Sequence, residues 1–165
     1  MGNGIIVCGL NGSGKSTLGK ALSDKLNFHF IDNEYLFFSK TNIGFTSPRS
    51  KEEAINILIS EVETYENFIF SAVIGDYGKD ILPLYKYAVV IDVPKDIRTL
   101  RIKNRSFQKF GDRILPGGDL YENEKAFFDM VNKMCIRDRC RSTPKSITAK
   151  PAPSSIIFTR FLPMS

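Results

Sequence analysis

The sequence predicts a single α/β domain in which a parallel β-sheet is covered by helices on both faces. Two observations lead to this fold class. Residues 1–133 alternate short apolar runs with segments of helical period, a pattern typical of a parallel sheet between two helical layers. A glycine-rich turn also joins the first apolar run to the first helix. The strand candidates are residues 4–8, 28–31, 68–72 and 87–91, and the helix candidates are 16–26, 34–39, 48–64 and 94–107.

The first strand, the turn and the first helix form a phosphate-binding motif. Residues 9–16 read G-L-N-G-S-G-K-S and fit the pattern G-x-x-x-x-G-K-S/T at every fixed position. Glycines in such a turn let successive backbone N–H groups point at a phosphate chain, which also faces the positive end of the helix. Lys15 is expected to reach the β- and γ-phosphates and Ser16 to hold Mg²⁺. The predicted ATP-binding residues are Gly9, Asn11, Gly12, Ser13, Gly14, Lys15, Ser16 and Thr17.

Two carboxylates, Asp32 and Glu34, follow the second strand. Ligands of open parallel sheets bind at the carboxyl ends of the strands. Asp32 can therefore orient a substrate hydroxyl, act as a base or hold Mg²⁺ through water. The other interpretation is an acidic cap for the short helix that follows. Further along the chain, Ser47 and Pro48 predict the start of the third helix, as its cap and its first-turn proline.

The third apolar run ends in Ser71, and Asp76 follows five residues later. A motor ATPase would carry Asp or Asp-Glu at the end of this run, so that class is disfavoured. A regulatory GTPase is disfavoured as well, because the Asn-Lys-x-Asp signature of guanine recognition is absent. Asp76 is interpreted either as a helix cap or as a substrate contact.

After the fourth strand, residues 92–94 lead into a helix that carries several arginines. The planar fork of arginine suits the charge of a transferring phosphoryl group. A segment rich in Gly, Arg and Asp, such as residues 105–119, can close over bound phosphates. Arg98 and Lys103 are interpreted instead as part of a solvated basic face. The predicted catalytic residues are Lys15, Asp32, Arg105 and Arg113.

The net charge of +5 does not indicate a nucleic-acid partner. Residues 134–165 contain six basic groups and one acidic group, while residues 1–133 contain 17 of each sign. A neutral body with a basic tail lacks the basic face that nucleic acids require. The chain also has neither an apolar stretch of about 20 residues nor a signal pattern. We therefore expect a cytoplasmic protein with no nucleic-acid or membrane partner.

The chain changes character after residue 133. Residues 134–139 read M-C-I-R-D-R, which resembles the in-frame translation of a transposon-end tag used in sequencing libraries. The residues that follow show no sustained helical or strand periodicity. We expect a domain of residues 1–133, truncated at its C-terminus, and an irregular basic tail of residues 134–165 that is foreign to the fold. The alternative is a natural disordered tail.

Four features together resemble the small-molecule and nucleotide kinase branch of the P-loop superfamily, which includes adenylate, shikimate and gluconate kinases. They are residues 9–16, F-I-D-N-E at 30–34, I-D-V-P at 91–94 and the arginine-bearing segment 105–113. The resemblance implies a three-layer sandwich with a parallel sheet in the order 2-3-1-4, whose expected fifth strand is missing here. It also implies Mg²⁺-dependent transfer of the ATP γ-phosphate to an acceptor. Residues 71–75 depart from the glycine triplet of shikimate kinases, and Arg49 is a candidate acceptor-binding arginine.

Two functions are consistent with these residues. The first is a kinase that phosphorylates a hydroxyl or phosphate of a small-molecule acceptor. In phosphoryl transfer the protein mainly positions groups and neutralises charge, and the predicted residues suffice for that. The second is an ATP-binding or ATP-hydrolysing regulatory module with no metabolite acceptor. The second is suggested by the missing carboxylate at the end of the third strand.

Overall fold

The computed structural model describes residues 3–38, 48–73, 77–78 and 80–133, together with the backbone of residues 155–160. The strands are β1 Asn3–Gly9, β2 His29–Asp32, β3 Asn67–Ala72, β4 Tyr85–Asp92 and β5 Ser155–Arg160. The helices are α1 Lys15–Leu26, α2 Asn33–Phe37, α3 Lys51–Thr64, α4 Lys95–Phe110 and α5 Tyr121–Lys133. Short 3₁₀ turns at Leu82–Leu84 and Gly111–Ile114 precede β4 and follow α4.

The sheet has the strand order β2-β3-β1-β4-β5, and its first four strands are parallel. The predicted α/β fold with the order 2-3-1-4 is therefore confirmed. β1 lies between β3 and β4, so the turn after Gly9 opens at the centre of the carboxyl edge. In the register of this edge, Ser71 lies opposite both Val7 and Asp32.

Apolar side chains fill both faces of the sheet, as expected for strands buried between two helical layers. On one face Phe68 and Phe70 of β3 pack against Leu58 of α3. On the other face Val7 and Ile69 belong to a second cluster that includes Leu18 and Leu22 of α1. None of the helices in the described ranges is long and apolar enough to cross a membrane.

The start of α3 differs from the prediction. The helix begins at Lys51, and its cap is Ser50, whose hydroxyl accepts a hydrogen bond from the Glu53 N–H at 3.1 Å. The Glu53 carboxylate in turn accepts from the Ser50 N–H at 2.8 Å, which completes a capping box. The predicted cap at Ser47 is therefore wrong, because this reciprocal pair satisfies two backbone donors that a single hydroxyl would not.

The C-terminal part of the chain contains two elements that the sequence interpretation did not include. α5 forms at Tyr121–Lys133, with acidic residues in its first turn and Val131 buried. Residues 134–165, predicted to be an irregular tail, contribute β5, which pairs antiparallel with β4. The sheet therefore contains a fifth strand, but this strand is antiparallel to β4. It includes a run of strand-favouring residues at 156–159. That the tail is foreign to the fold stays a prediction.

Candidate phosphate-binding site

The turn between β1 and α1 adopts backbone conformations that require glycine. Gly12 has φ 79° and Gly14 has φ 92°, both in the left-handed region that side chains disfavour. The Ser13 N–H donates to the Leu10 carbonyl at 3.0 Å, which closes the turn before α1 begins at Lys15. The predicted strand, loop and helix therefore lie where the motif requires them, and their role in ATP binding stays a prediction.

The loop also packs closely against β4 and α4. A Cβ on Gly9 would lie 2.4 Å from the Ser13 hydroxyl and 3.0 Å from the Ile91 carbonyl oxygen. A Cβ on Gly12 would lie 2.6 Å from the Arg98 carbonyl oxygen. Real Cβ atoms essentially never approach a backbone oxygen as closely as 2.6 Å, so Gly12 is required by space, whereas a side chain at Gly9 would require the Ser13 hydroxyl and the Ile91 carbonyl to shift. The Ser13 hydroxyl is buried and has no hydrogen-bond partner in the described part of the chain, as expected for a loop that encloses polar groups of a ligand.

Three of the four predicted catalytic residues share one electrostatic environment. Burial lowers the pKa of Lys15 from its usual 10.5. The carboxylates of Glu34 and Asp32 act in the opposite direction, and the Arg105 guanidinium acts in the same direction as burial. Because a charge shifts the pKa of a neighbour mainly at short range, these three groups lie within electrostatic range of the Lys15 ammonium. Asp32 ends β2 and Arg105 lies on α4, which follows β4, so these two residues come from strands on opposite sides of β1 in the sheet.

Asp32 ends β2 and is only 8% exposed. One of its carboxylate oxygens accepts a hydrogen bond from the Glu34 N–H at 3.0 Å, which makes Asp32 the cap of α2. The interpretation of Asp32 as an acidic cap is therefore confirmed. The cap also fixes the direction of the carboxylate at the edge that carries Lys15, which a catalytic role requires.

Ser71 is a residue that the sequence interpretation did not select. Its side chain is completely buried at the end of β3, and its hydroxyl lies 3.3 Å from that of Ser16. Ser71 therefore occupies the place next to the loop serine where a motor ATPase would carry a carboxylate. The only signal in the sequence was its position at the end of an apolar run. Asp76, the other candidate here, lies outside the described residues.

The donors at this edge fit a Mg²⁺ ion that is bound mainly through nucleotide phosphates. Ser16, Ser71 and Asp32 offer oxygen atoms, the ligands that Mg²⁺ prefers. Within the described ranges, no three acidic, cysteine or histidine side chains come together as an all-protein metal site. Such a set agrees with the usual arrangement, in which one or two protein ligands, substrate phosphates and water complete the octahedron.

Two arginines of α4 donate hydrogen bonds to backbone carbonyls of the loop. Arg98 is 4% exposed and donates from Nε to the Val93 carbonyl at 3.0 Å and from Nη1 to the Asn11 carbonyl at 3.3 Å. Arg101 donates from Nη1 to the Gly12 carbonyl at 3.4 Å. The interpretation of Arg98 as a solvated residue is wrong. Its spacing of four residues from the buried Ile102 was the signal for a buried helix face.

Arg113, the fourth predicted catalytic residue, is bound within its own loop. Its Nε and Nη2 donate to the two carboxylate oxygens of Asp119 at 2.9 and 2.6 Å. This bidentate contact raises the pKa of Arg113 and lowers that of Asp119. Both side chains are about 60% exposed, so the pair contributes little to stability. Arg49 is likewise engaged, because its Nη1 donates to the carbonyls of Tyr35 and Leu36 at the end of α2.

Tyr77 contacts residues near the ends of β2 and β3. Its hydroxyl donates to the Asn33 side chain, and its ring packs edge-on against Phe70 with 5.4 Å between centroids. Burial raises the pKa of Tyr77 to about 12. Since Asn33 lies between Asp32 and Glu34 in the chain, this contact fixes the segment that carries both carboxylates.

The raised pKa of Tyr77 predicts a loss of stability at high pH. An unfolded tyrosine loses its proton near pH 10, whereas the native phenol keeps it to about pH 12. The stabilisation by neutral Tyr77 is therefore complete below pH 10 and declines as the pH rises from 10 to 12. Urea unfolding across this range should show a shallower decline in Tyr77→Phe than in the wild type. The exposed Tyr87, replaced in the same way, is the control; equal slopes in all three proteins would contradict the prediction.

Comparison with known proteins supports the family membership of this chain. The family model described as "AAA domain" matches residues 5–126. The uncharacterized protein YqaC of Bacillus subtilis (strain 168) is 32% identical over 133 residues, which are 80% of this chain and 72% of YqaC. An uncharacterized protein from Eubacterium ventriosum ATCC 27560 shares the fold, with a TM-score of 0.50 and 16% identity over 86% of this chain and 82% of that one.

Two kinases are also among the similar solved structures. A gluconokinase from Sinorhizobium meliloti 1021 has a TM-score of 0.47 at 17% identity over 63% of this chain. A shikimate kinase from Bacteroides thetaiotaomicron has a TM-score of 0.43 at 26% identity over 61% of this chain. The chain spans 65% of the first and 63% of the second, which is less than two thirds of each. From the family model and the relative in Bacillus subtilis, this chain belongs to the AAA domain family, and its resemblance to P-loop proteins is confirmed.

Proposed function

We propose that this protein is a Mg²⁺-dependent phosphotransferase that transfers the γ-phosphate of ATP to a hydroxyl or phosphate of a small-molecule acceptor. The observation that supports this most is the environment of Lys15, which is shared by a carboxylate from the end of β2 and an arginine from α4. A phosphate loop alone binds a nucleotide. A carboxylate and an arginine beside the same lysine add a group to activate an acceptor and a group to stabilise the transferring phosphoryl.

In the proposed reaction an acceptor oxygen attacks the γ-phosphorus in line with the leaving group. The new oxygen–phosphorus bond forms while the bond from the γ-phosphorus to the β–γ bridging oxygen breaks, and ADP leaves with that electron pair. When the acceptor is a hydroxyl, its proton passes to the Asp32 carboxylate. Lys15 and Arg105 hold the oxygens of the transferring group, and Ser16 with Ser71 would hold Mg²⁺, which neutralises charge on the β- and γ-phosphates.

The function is tested by measuring ADP release with a panel of hydroxyl compounds and nucleoside monophosphates. We expect at least one acceptor to raise ADP release well above the rate with water alone. Asp32→Asn should then lower turnover roughly 100-fold or more, the usual effect of losing a general base. The affinity for ATP should change little, since Asn also caps helices well and preserves α2. The exposed Asp24 on α1, replaced by Asn, is the matched control.

A regulatory ATP-binding module is the second candidate, and Ser71 is the observation that favours it. With a hydroxyl in place of a carboxylate beside Ser16, hydrolysis of ATP by activated water is expected to be slow. This candidate predicts saturable ATP binding, slow hydrolysis and no stimulation by any compound of the panel. Stimulation by one acceptor excludes it, whereas wild-type turnover in Asp32→Asn removes only Asp32 from the proposed mechanism.

A further inference from the structure

The buried guanidinium of Arg98 contacts the phosphate loop and has no acidic partner among the described residues. Arg98 is 4% exposed, and its hydrogen bonds go to two backbone carbonyls, those of Val93 and Asn11. Within the described ranges no carboxylate lies at ion-pair distance from it. Taking such a charge out of water is expensive unless opposite charge compensates for it. Two carbonyl dipoles compensate only part of this cost, so the described residues alone leave the charge of Arg98 incompletely balanced.

The contacts of Arg98 also determine the orientation of the loop backbone. The Asn11 carbonyl belongs to the same trans peptide group as the Gly12 N–H, and the two point in opposite directions. Because Arg98 holds this carbonyl toward α4, the Gly12 N–H points away from α4. Arg101 holds the next carbonyl, that of Gly12, in the same way. The close approach of Gly12 to the Arg98 carbonyl oxygen keeps the loop and the helix in fixed relation.

We propose that Arg98 is a positioning residue for polyphosphate binding, which holds the loop amides toward the ligand and whose buried charge is balanced by the bound phosphates. The ligand class is a linear polyphosphate, either free or as part of a nucleoside triphosphate. The inference rests on the ATP-binding part of the proposed function and is independent of any acceptor. Arg98 contacts the loop rather than the reacting atoms, so it acts through the backbone of Asn11 and Gly12.

Isothermal titration calorimetry with Mg·ATP and with inorganic tripolyphosphate tests this role. Arg98→Met keeps the length of the side chain but removes its charge and donors. We expect it to weaken the binding of both probes about 10- to 100-fold, because both carry the phosphate chain. Arg98→Lys keeps the charge but cannot hold both carbonyls, and we expect an intermediate loss. Ile102→Val, one turn along the same buried face of α4, should lower the melting temperature without changing either dissociation constant.

Three results with the Arg98 variants would decide against the proposal. A purely structural Arg98 would lower the melting temperature of Arg98→Met and leave the affinity of the folded protein for tripolyphosphate unchanged. If Arg98→Met bound ATP more weakly but tripolyphosphate as tightly as the wild type, Arg98 would act on the nucleoside part of ATP and not on the phosphate chain. Failure of Arg98→Met to fold, together with wild-type affinity in Arg98→Lys, would also overturn it. A wild-type protein that binds either probe while no acceptor stimulates ADP release would contradict phosphotransfer alone, and binding of neither probe would contradict both.

Discussion

Replacing Lys15 with alanine is expected to abolish the stabilisation that Mg·ATP confers on the folded protein. At a ligand concentration 100 times the dissociation constant, binding raises the free energy of unfolding of the wild type by about 2.7 kcal/mol. In the proposed site Lys15 is the cation that would meet the β- and γ-phosphates, and its pKa responds to the charges of Glu34, Asp32 and Arg105. Thermal unfolding with and without Mg·ATP measures the effect, and phosphoryl transfer should be lost as well.

The matched control for this prediction is Lys20→Ala, an exposed lysine of the same helix. It should keep the full nucleotide-induced shift, because it lies on the solvent side of α1. Without nucleotide, Lys15→Ala should melt no lower than the wild type, since burial disfavours the Lys15 ammonium and lowers its pKa. A Lys15→Ala protein that retains the full shift would show that the nucleotide binds elsewhere.

Gly12→Ala is expected to give the second large effect, a loss of roughly 2–3 kcal/mol in the free energy of unfolding. A side chain in the left-handed region costs about 1–2 kcal/mol, and Gly12 has φ 79°. The new Cβ would also meet the Arg98 carbonyl oxygen at 2.6 Å, so the loop must move away from α4. That movement breaks the contacts of Arg98 and Arg101 with the loop carbonyls, and ATP binding should fall with stability.

Gly14→Ala separates the two causes. Gly14 has φ 92°, in the same region, but a Cβ there would meet no atom of the described ranges within 4 Å. The free energy of unfolding that Gly14→Ala loses should therefore reflect backbone strain alone, about 1–2 kcal/mol. This loss should be smaller than the loss caused by Gly12→Ala. Urea unfolding of both variants without nucleotide gives the comparison. Equal losses would mean that the contact between Gly12 and α4 contributes nothing to stability.

The sequence predicted those parts of the site that depend on short segments of the chain. Residues 9–16 fix the loop through local backbone geometry, so the motif alone places Lys15 and Ser16. The carboxyl-edge rule for parallel sheets places Asp32. The edge position of Ser71 followed from the same rule, but nothing local indicated that its hydroxyl meets that of Ser16.

The remaining features depend on contacts between segments far apart in the chain. Arg98 is buried because Asn11, 87 residues away, supplies a carbonyl for its guanidinium. A polar residue on an amphipathic helix is ordinarily exposed, which is why the sequence favoured a solvated face. Arg113 lies in a segment whose composition is typical of a lid that closes over phosphates. Only the folded loop shows that its guanidinium is bound by Asp119. The spacing of Arg98 from Ile102 indicates a buried face of α4, but it does not indicate which carbonyls the guanidinium contacts.

The central position of β1 has a consequence for the order in which the molecule forms during synthesis. β1 leaves the ribosome before both of its neighbours, β3 and β4, which belong to a stretch that begins at residue 67 and ends at residue 92. At roughly 5–20 residues per second, several seconds pass before those partners are made. Until then the glycine-rich turn has no neighbouring strands to hold it. The segment that carries the phosphate-binding motif is thus translated early but becomes ordered late, with the closure of long chain loops as the slow step.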